Sequence, residues 1–236
     1  LCMDVEQLET LVSEKTRGIA PVHFGGHPAD MRAVRRVADR HGLFVVEDAA
    51  HTLGALGPDG PVGNCYNSDA TIFSFHPVKH IATGEGGMVT TNDEAIFERL
   101  TMFRNHGTRR KPDQMEQNPG SWWYEMHELG YNYRLSDIHS ALGLSQLKKL
   151  DTFVGRRREL MTLYRDLLQP EGPFLGFQAE HPEVRSSYHL AIVRIDFNAT
   201  ARGRAEMMQY LKDRGILTQV HYIPVNEHPY YKTHFP

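Results

Sequence analysis

The sequence predicts an α/β fold in which helices cover both faces of a mostly parallel sheet. Three observations support this prediction. Strand-like runs alternate with helix-like segments, the runs contain few polar residues, and one of them, LFVVEDAA (43–50), stops at an acidic pair. Near-continuous apolar strands are typical of parallel sheets that are buried on both faces. A carboxylate at the end of such a strand lies at the edge where open α/β sheets bind ligands.

The individual elements follow from hydrophobic periodicity and turn signals. Apolar residues at helical spacing predict helices, and β-branched or aromatic runs predict strands. The predicted helices are 5–12, 28–42, 93–107, 136–150, 154–169 and 200–215. The predicted strands are 18–24, 43–50, 69–76, 86–92, 186–195 and 216–223, and those at 69–76 and 86–92 are expected to be buried. Residues 108–123 are polar and turn-rich, which predicts a long loop.

Terminal signals place the ends of two helices and one domain boundary. Pro28 is predicted to begin the helix that ends at Gly42, and Ser136 is predicted to cap the helix that follows it. Beyond residue 150 the chain changes from a strand-and-helix alternation to a smaller α+β pattern. We therefore predict a large domain over 1–150 and a smaller domain over 151–236.

Composition excludes several classes of protein. The chain has 236 residues, of which 40% are hydrophobic, with a net charge of −3, so it is expected to be a soluble globular chain. It has no basic excess for nucleic acid, no apolar run of membrane-spanning length and no signal-peptide pattern at its start. A cytoplasmic location is expected, in which Cys2 and Cys65 remain thiols.

Motifs for other common chemistries do not occur in the sequence. It contains neither a GxGxxG dinucleotide motif nor a GxSxG hydrolase elbow. HELGY (127–131) lacks the second histidine of a zinc-protease motif, and His23 and His27 flank a Gly-Gly pair that does not suit a helical metal site. No metal is therefore expected.

One lysine, in SFHPVKHIATGEGG (74–87), has an unusual setting. Its glycines follow Lys79, whereas a phosphate loop places them before the lysine. An exposed surface lysine is the alternative, but Lys79 lies between two predicted strands. Pyridoxal phosphate (PLP) needs a lysine for its Schiff base, a carboxylate for its ring nitrogen and donors for its phosphate. Lys79, Asp48 and Ser74 supply one of each, although Asp48 on its own is better explained as a helix-capping carboxylate after a strand.

Four motifs in order then carry a family resemblance. They are VVEDAAHTLGA (45–55), SDATIFSFHPVKHIATGEGGMVTTND (68–93), LGYNYRLSDIHSALGLSQLKKLD (129–151) and QVHYIPV (219–225). Together they resemble the DegT/DnrJ/StrS family of PLP-dependent sugar-nucleotide aminotransferases, and within it the branch of pseudaminic acid synthesis. The resemblance implies the type I PLP-dependent transferase fold, with a three-layer α/β/α large domain and a smaller α+β domain. It also implies a homodimer with active sites shared between subunits.

The resemblance assigns roles to individual residues. Lys79 matches the catalytic Schiff-base lysine, Asp48 the partner of the pyridinium nitrogen, and Ser74 a phosphate ligand. His51 matches a residue that lies against the cofactor ring, and its alternative is a packed core histidine. Asn132 matches an asparagine that reaches the cofactor phosphate from the neighbouring subunit, and its alternative is an ordinary turn residue.

The resemblance also implies a substrate and a reaction. His221 and Tyr222 match a stretch that lines the sugar site, with a plain strand end as the alternative. Lys79 favours transamination, because the sugar dehydratases of this family carry histidine there. The implied reaction moves an amino group from glutamate to C4 of a UDP-linked 4-keto-6-deoxy-N-acetylhexosamine for surface glycans. The alternatives are a PLP-dependent lyase or dehydratase, and a non-catalytic binding or regulatory protein.

The ends of the chain fall in mid-domain sequence for the family. Leu1 and the final YYKTHFP (230–236) both interrupt the expected pattern. The resemblance therefore implies a fragment that is incomplete at both ends and lacks an N-terminal phosphate loop.

Overall fold

The computed structural model describes residues 1–168 and 172–235. Its helices are α1 (Val5–Leu11), α2 (Met31–His41), α3 (Glu94–Phe103), α4 (Asp137–Leu147), α5 (Leu150–Leu168), α6 (Arg204–Lys212) and α7 (Pro229–His234). Its strands are β1 (Gly18–Ile19), β2 (Phe44–Asp48), β3 (Leu56–Gly57), β4 (Gly60–Pro61), β5 (Ala70–Ser74), β6 (Gly87–Thr90), β7 (Thr108–Arg109), β8 (Glu125–Met126), β9 (Leu175–Phe177) and β10 (Val193–Ile195).

The main sheet has the strand order β1-β2-β5-β6. β1, β2 and β5 are parallel, which confirms the predicted parallel pairing, whereas β6 runs antiparallel to β5. The prediction that 86–92 is a buried strand is wrong in one respect, because Met88 and Val89 of β6 are exposed. β6 pairs only with β5 among the described strands, so its side chains stay at the margin of the sheet.

Helix α2 packs its apolar side chains against β1 and β2. Val34, Val37 and Ala38 join Val45 of β2 in a buried cluster. The helix starts later than predicted, because the side chain of Asp30 accepts a hydrogen bond from the backbone N–H of Ala33 and so caps it. It ends as predicted at a glycine in the left-handed conformation, at φ 62°.

Three predicted strands are shorter than expected or absent. Residues 18–24 form only the two-residue β1, and residues 186–195 form only β10. The predicted strand at 216–223 is wrong, because these residues have no regular secondary structure. A β-branched run becomes a strand only where a neighbouring strand accepts its hydrogen bonds. The predicted loop at 108–123 is largely irregular but contributes β7.

The chain divides into two compact units. One contains Leu1–Leu167 and Gln178–Ile192, and the other contains Leu168–Phe177 and Val193–Pro236. The first unit therefore includes α5 up to Leu167 and the segment Gln178–Ile192, both of which extend beyond residue 150. A boundary near 150 in the whole protein stays a prediction. Within the described residues, no helix combines the length and apolar character that crossing a membrane requires.

Candidate functional site

The ends of two neighbouring parallel strands define the candidate site. β2 ends at Asp48 and β5 ends at Ser74, and the pairing of the two strands sets Asp48 opposite Ile72. Both polar side chains therefore lie at the same carboxyl edge of the sheet, as the sequence predicted. Carboxyl edges of parallel strands are where open α/β sheets bind ligands.

Asp48 is held in place by two hydrogen bonds of its backbone and one of its side chain. Its N–H donates to the carbonyl of Pro21 (3.0 Å), and its carbonyl accepts from His23 N–H (3.0 Å). Oδ1 of Asp48 accepts from the N–H of Ala50 at 3.0 Å. No helix begins within the turn that follows, so the alternative of a helix cap is wrong for Asp48. Oδ2 accepts no hydrogen bond from the described residues.

A buried network lies under the same stretch of β2. Neighbouring side chains of a strand point to opposite faces, so Glu47 projects away from Asp48. Oε1 of Glu47 accepts from the hydroxyls of Thr71 (2.9 Å) and Ser68, and Oε2 lies 2.7 Å from Nε2 of His23. Nδ1 of His23 accepts from Ala29 N–H (3.0 Å), so Nε2 carries the proton that it donates to Glu47. The network ties β2 to β5 and to the segment that follows β1.

Burial and hydrogen bonding act in opposite directions on the pKa of the Glu47 carboxyl. Burial by itself raises the pKa of the Glu47 carboxyl, but the hydrogen bonds from His23, Ser68 and Thr71 lower its pKa overall. Glu47 therefore stays ionised, and its strand end stays fixed at neutral pH.

Lys79 lies in a turn between β5 and β6 and is half-buried. Its backbone N–H donates to the carbonyl of His76 at 2.9 Å. Burial lowers the pKa of the Lys79 amine, and the nearby Asp48 carboxylate partly opposes that shift. A lysine with a lowered pKa holds more neutral amine at pH 7 than an exposed one, and neutral amine is the form that attacks a carbonyl carbon.

Ser74 and His51 complete the group on this edge. Oγ of Ser74 accepts from the N–H of His76 at 3.4 Å, and the residue is half-buried. Nδ1 of His51 accepts from the N–H of Gly25 at 3.4 Å, so its proton is on Nε2. The ring of His51 contacts Phe24, with centroids 6.0 Å apart.

Two further histidines at the site were missed by the sequence analysis. The ring of His189 lies 4.4 Å from that of His51, and the ring of His80 lies 5.5 Å from that of His189. His80 directly follows Lys79, which was the available signal. His189 lies in the run 186–195, whose aromatic and β-branched residues indicated a strand and so concealed a site residue.

One predicted site residue, Asn132, is not brought to this edge by the described contacts of the first unit. Asn132 is exposed and pairs through its backbone with Asn105. His221 and Tyr222 belong to the second compact unit, where their rings lie 3.6 Å apart and Tyr222 is exposed. Their roles stay predictions. Among the described residues, no cluster of His, Cys, Asp and Glu has the arrangement of a metal site.

Comparison with known proteins decides the family. The model of the DegT/DnrJ/EryC1/StrS aminotransferase family matches residues 1–236. The chain belongs to this family. The resemblance carried by the four motifs is thereby confirmed.

Individual relatives agree with the family assignment. The chain is 40% identical over 236 residues to the spore coat polysaccharide biosynthesis protein SpsC of Bacillus subtilis, covering 100% of the chain and 60% of SpsC. It is 33% identical to a solved structure of Helicobacter pylori PseC, described as an aminotransferase involved in the biosynthesis of pseudoaminic acid. That structure has a TM-score of 0.88, and the match covers 99% of the chain and 60% of PseC.

A second similar structure is described with its cofactor form. It is the PLP form of Spr1654 from Streptococcus pneumoniae, at 29% identity and a TM-score of 0.85, with 98% of the chain and 61% of Spr1654 covered. The likeness to these structures confirms the type I PLP-dependent transferase fold. PLP is the cofactor of this family. The chain spans about 60% of the length of the relatives it matches.

The residues on the carboxyl edge fit this cofactor. Oδ2 of Asp48 has no hydrogen-bond donor among the described residues, and Lys79 is a half-buried lysine whose pKa is lowered by burial. A carboxylate with one oxygen still available to accept a hydrogen bond suits a pyridinium ring, and an amine with a lowered pKa suits an aldehyde.

Proposed function

We propose that the whole protein is an aminotransferase that uses PLP to move an amino group from glutamate to a nucleotide-linked keto sugar. The observation that carries this proposal is the placement of Lys79 and Asp48 at one edge of the sheet, close enough for the carboxylate to affect the amine. When bound, PLP supplies an electron sink for the carbon that gains or loses the amino group.

Each residue of the chain has a defined task in this proposal. Lys79 holds the cofactor covalently and, once released, moves a proton at its Nζ, which requires a neutral amine. Asp48 holds a proton on the ring nitrogen of the cofactor through Oδ2. Ser74 donates its hydroxyl to the phosphate, and His51 lies against the ring.

The proposed acceptor is a UDP-linked 4-keto-6-deoxy-N-acetylhexosamine, aminated at C4. Similarity to PseC supports this choice, together with the residues His221 and Tyr222, whose donor and aromatic groups suit a sugar. Enzymes for small amino acids generally bind the substrate carboxylate with a paired arginine. Arg157 lies near the site, but its Nη1 donates to the carbonyls of Tyr188 (3.2 Å) and His189 (3.0 Å), which is a structural role.

The substrate prediction is tested with a panel of acceptors. The complete protein is incubated with PLP, glutamate and UDP- or dTDP-linked 4-keto sugars, in parallel with pyruvate and oxaloacetate, and 2-oxoglutarate release is followed. We expect the UDP-linked N-acetylated sugar to turn over fastest, because the diphosphate and base supply binding energy remote from the reacting carbon. Faster turnover of the small keto acids would contradict the assignment of a sugar acceptor. A preference for dTDP-linked sugars would contradict the assignment of UDP as the nucleotide.

An absorption measurement on the same protein, together with the turnover assay, separates the alternatives that the sequence left open. An aminotransferase converts its PLP absorption band to that of the pyridoxamine form when glutamate is added alone. A lyase or dehydratase leaves the band in place, and a non-catalytic binding protein shows no turnover with any acceptor.

Asn132 is proposed to act across a homodimer interface. Its exposure within the chain supports this role, because an exposed asparagine is available to a second subunit. We expect a Lys79→Ala protein mixed with an Asn132→Ala protein to regain up to about half of wild-type activity per hybrid dimer, since one of its two shared sites keeps both residues. Activity is measured after the hybrid dimers are isolated by two different affinity tags. Isolated hybrids without activity would show that Asn132 serves its own subunit.

A further inference from the structure

Three histidine rings form a continuous stack beside Lys79, which we name the histidine stack (His51, His189 and His80). The rings of His51 and His189 are 4.4 Å apart and tilted by 38°, and those of His189 and His80 are 5.5 Å apart and tilted by 46°. His189 is 8% exposed and His80 is 4% exposed, so only His51 is substantially accessible. His189 therefore lies between the accessible ring and the core.

The backbone around His189 is fixed at several points. Ser187 N–H and Ser186 Oγ both donate to the carbonyl of Gly26, at 2.9 Å and 2.7 Å, and Arg157 Nη1 donates to the carbonyl of His189 at 3.0 Å. A Cβ on Gly26 would lie 2.6 Å from the backbone nitrogens of Tyr188 and His189. Only glycine permits this approach, so the position of His189 depends on close backbone packing.

Tyr188 adopts an uncommon backbone conformation that aims the next residue inward. Its φ is +45°, in the left-handed region that non-glycine residues rarely occupy. The conformation is held by the side chain, because the Tyr188 hydroxyl donates to Glu180 and the guanidinium groups of Arg158 and Arg165 each lie 5.6 Å from the ring. Backbone strain of this kind persists where surrounding contacts determine it, and it concentrates at functional sites.

The far end of the stack is also fixed. Nε2 of His80 donates to the carbonyl of Ser187 at 3.0 Å, and Oγ of Ser187 donates to the carbonyl of His51 at 3.4 Å. Ser187 thus links the first and last residues of the histidine stack. The first bond holds the ring of His80, and the second holds the backbone of His51.

The two inner histidines carry no charge at neutral pH. Burial lowers the pKa of His189 to about 3, and the nearby His51, Lys79 and Arg157 act in the same direction. Burial lowers the pKa of His80 to about 4, against the opposing effect of its hydrogen bond to Ser187. Neutral rings pack against His51 without adding a positive charge beside Lys79. A charged side chain at position 189 would oppose a cationic cofactor ring by like-charge repulsion.

We propose that His189 is a positioning residue that fixes the plane and tautomer of the His51 ring for contact with the cofactor. The contact between His51 and the cofactor rests on the proposed function. The effect of His189 on the His51 ring does not depend on the cofactor. His189 acts through its flat ring, which leaves His51 only the orientation in which Nδ1 accepts from Gly25 N–H.

The test compares His189→Phe with His189→Ala. Phenylalanine keeps a flat neutral ring and removes the ring nitrogens, whereas alanine removes the ring. In the cofactor-free chain, nitrogen NMR of the His51 imidazole is expected to show the Nε2–H tautomer in wild type and His189→Phe, and a mixture of tautomers in His189→Ala. In the complete enzyme, we expect kcat to fall about tenfold or more in His189→Ala with KM unchanged, and to stay within about twofold in His189→Phe.

A matched control separates positioning from general loss of packing. Met161→Ala creates a cavity at a residue of α5 that is 3% exposed and lies outside the histidine stack. It is expected to lower stability without changing the His51 spectrum. A wild-type His51 spectrum in His189→Ala overturns the proposal, and so does a His189→Phe spectrum as altered as that of His189→Ala. Since these spectra are recorded without PLP, failure of the aminotransferase assignment leaves their interpretation unchanged.

Discussion

Lys79→Ala is expected to abolish turnover while leaving part of the cofactor binding in place. General acid–base catalysis by a positioned side chain contributes roughly 10²–10⁴-fold, and the covalent attachment of the cofactor is lost as well. The rate is therefore expected to fall by at least about 10³-fold. Asp48 and Ser74 remain, so equilibrium dialysis is expected to show weakened but measurable PLP binding. The rate is measured as 2-oxoglutarate release by the complete protein.

The attachment point is tested separately by chemical trapping. PLP is added to the complete protein, the linkage is reduced with borohydride, and the peptides are mapped. We expect the pyridoxyl group on Lys79, because burial lowers the pKa of its amine and so raises the neutral fraction at pH 7–8. Lys15→Ala, at an exposed lysine, is the matched control and should label and turn over as wild type. Label on another lysine would contradict the assignment.

The central strands could be predicted from their apolar, β-branched and aromatic residues, although Phe44 of β2 and Ile72 of β5 are exposed in the described chain. The runs 43–50 and 69–76 contain few polar residues until they end, and the structure places β2 and β5 inside them. Parallel neighbours end at one edge, so the sequence also predicted that Asp48 and Ser74 lie together. The placement of these two side chains could therefore be predicted from the sequence, whereas their chemical roles stay predictions.

The histidine stack could not be predicted in the same way. His189 reaches His51 because Gly26 lets two backbones approach and because Tyr188 takes a left-handed conformation. Both are long-range consequences of packing, and the local pattern at 186–195 indicated an ordinary strand. The error at 216–223 has a related cause. Strand propensity is expressed only where a partner strand is present, and the pattern of one segment carries no information on its partner.

Asp48→Asn is expected to reduce kcat by about 10²–10³-fold, the cost of removing one preorganised electrostatic contact at a reacting centre. Asparagine has nearly the same shape, and its side-chain oxygen can keep the hydrogen bond from Ala50 N–H, which Oδ1 of Asp48 accepts at 3.0 Å. The backbone anchors at Pro21 and His23 are also unchanged. The strand end should therefore stay in place while the negative charge disappears.

The loss of charge predicts an effect that a loss of folding does not produce. Without a carboxylate, the ring nitrogen of bound PLP loses its proton partner, so the electron sink weakens while KM for the sugar stays within about twofold. Asp166→Asn, at an exposed aspartate of α5, is the matched control and should leave kcat and the thermal melting temperature unchanged. Steady-state kinetics and a thermal melt on the same preparations separate the two causes. Near-normal kcat in Asp48→Asn would mean that another group holds the proton on the ring, and the role proposed for the end of β2 would then be wrong.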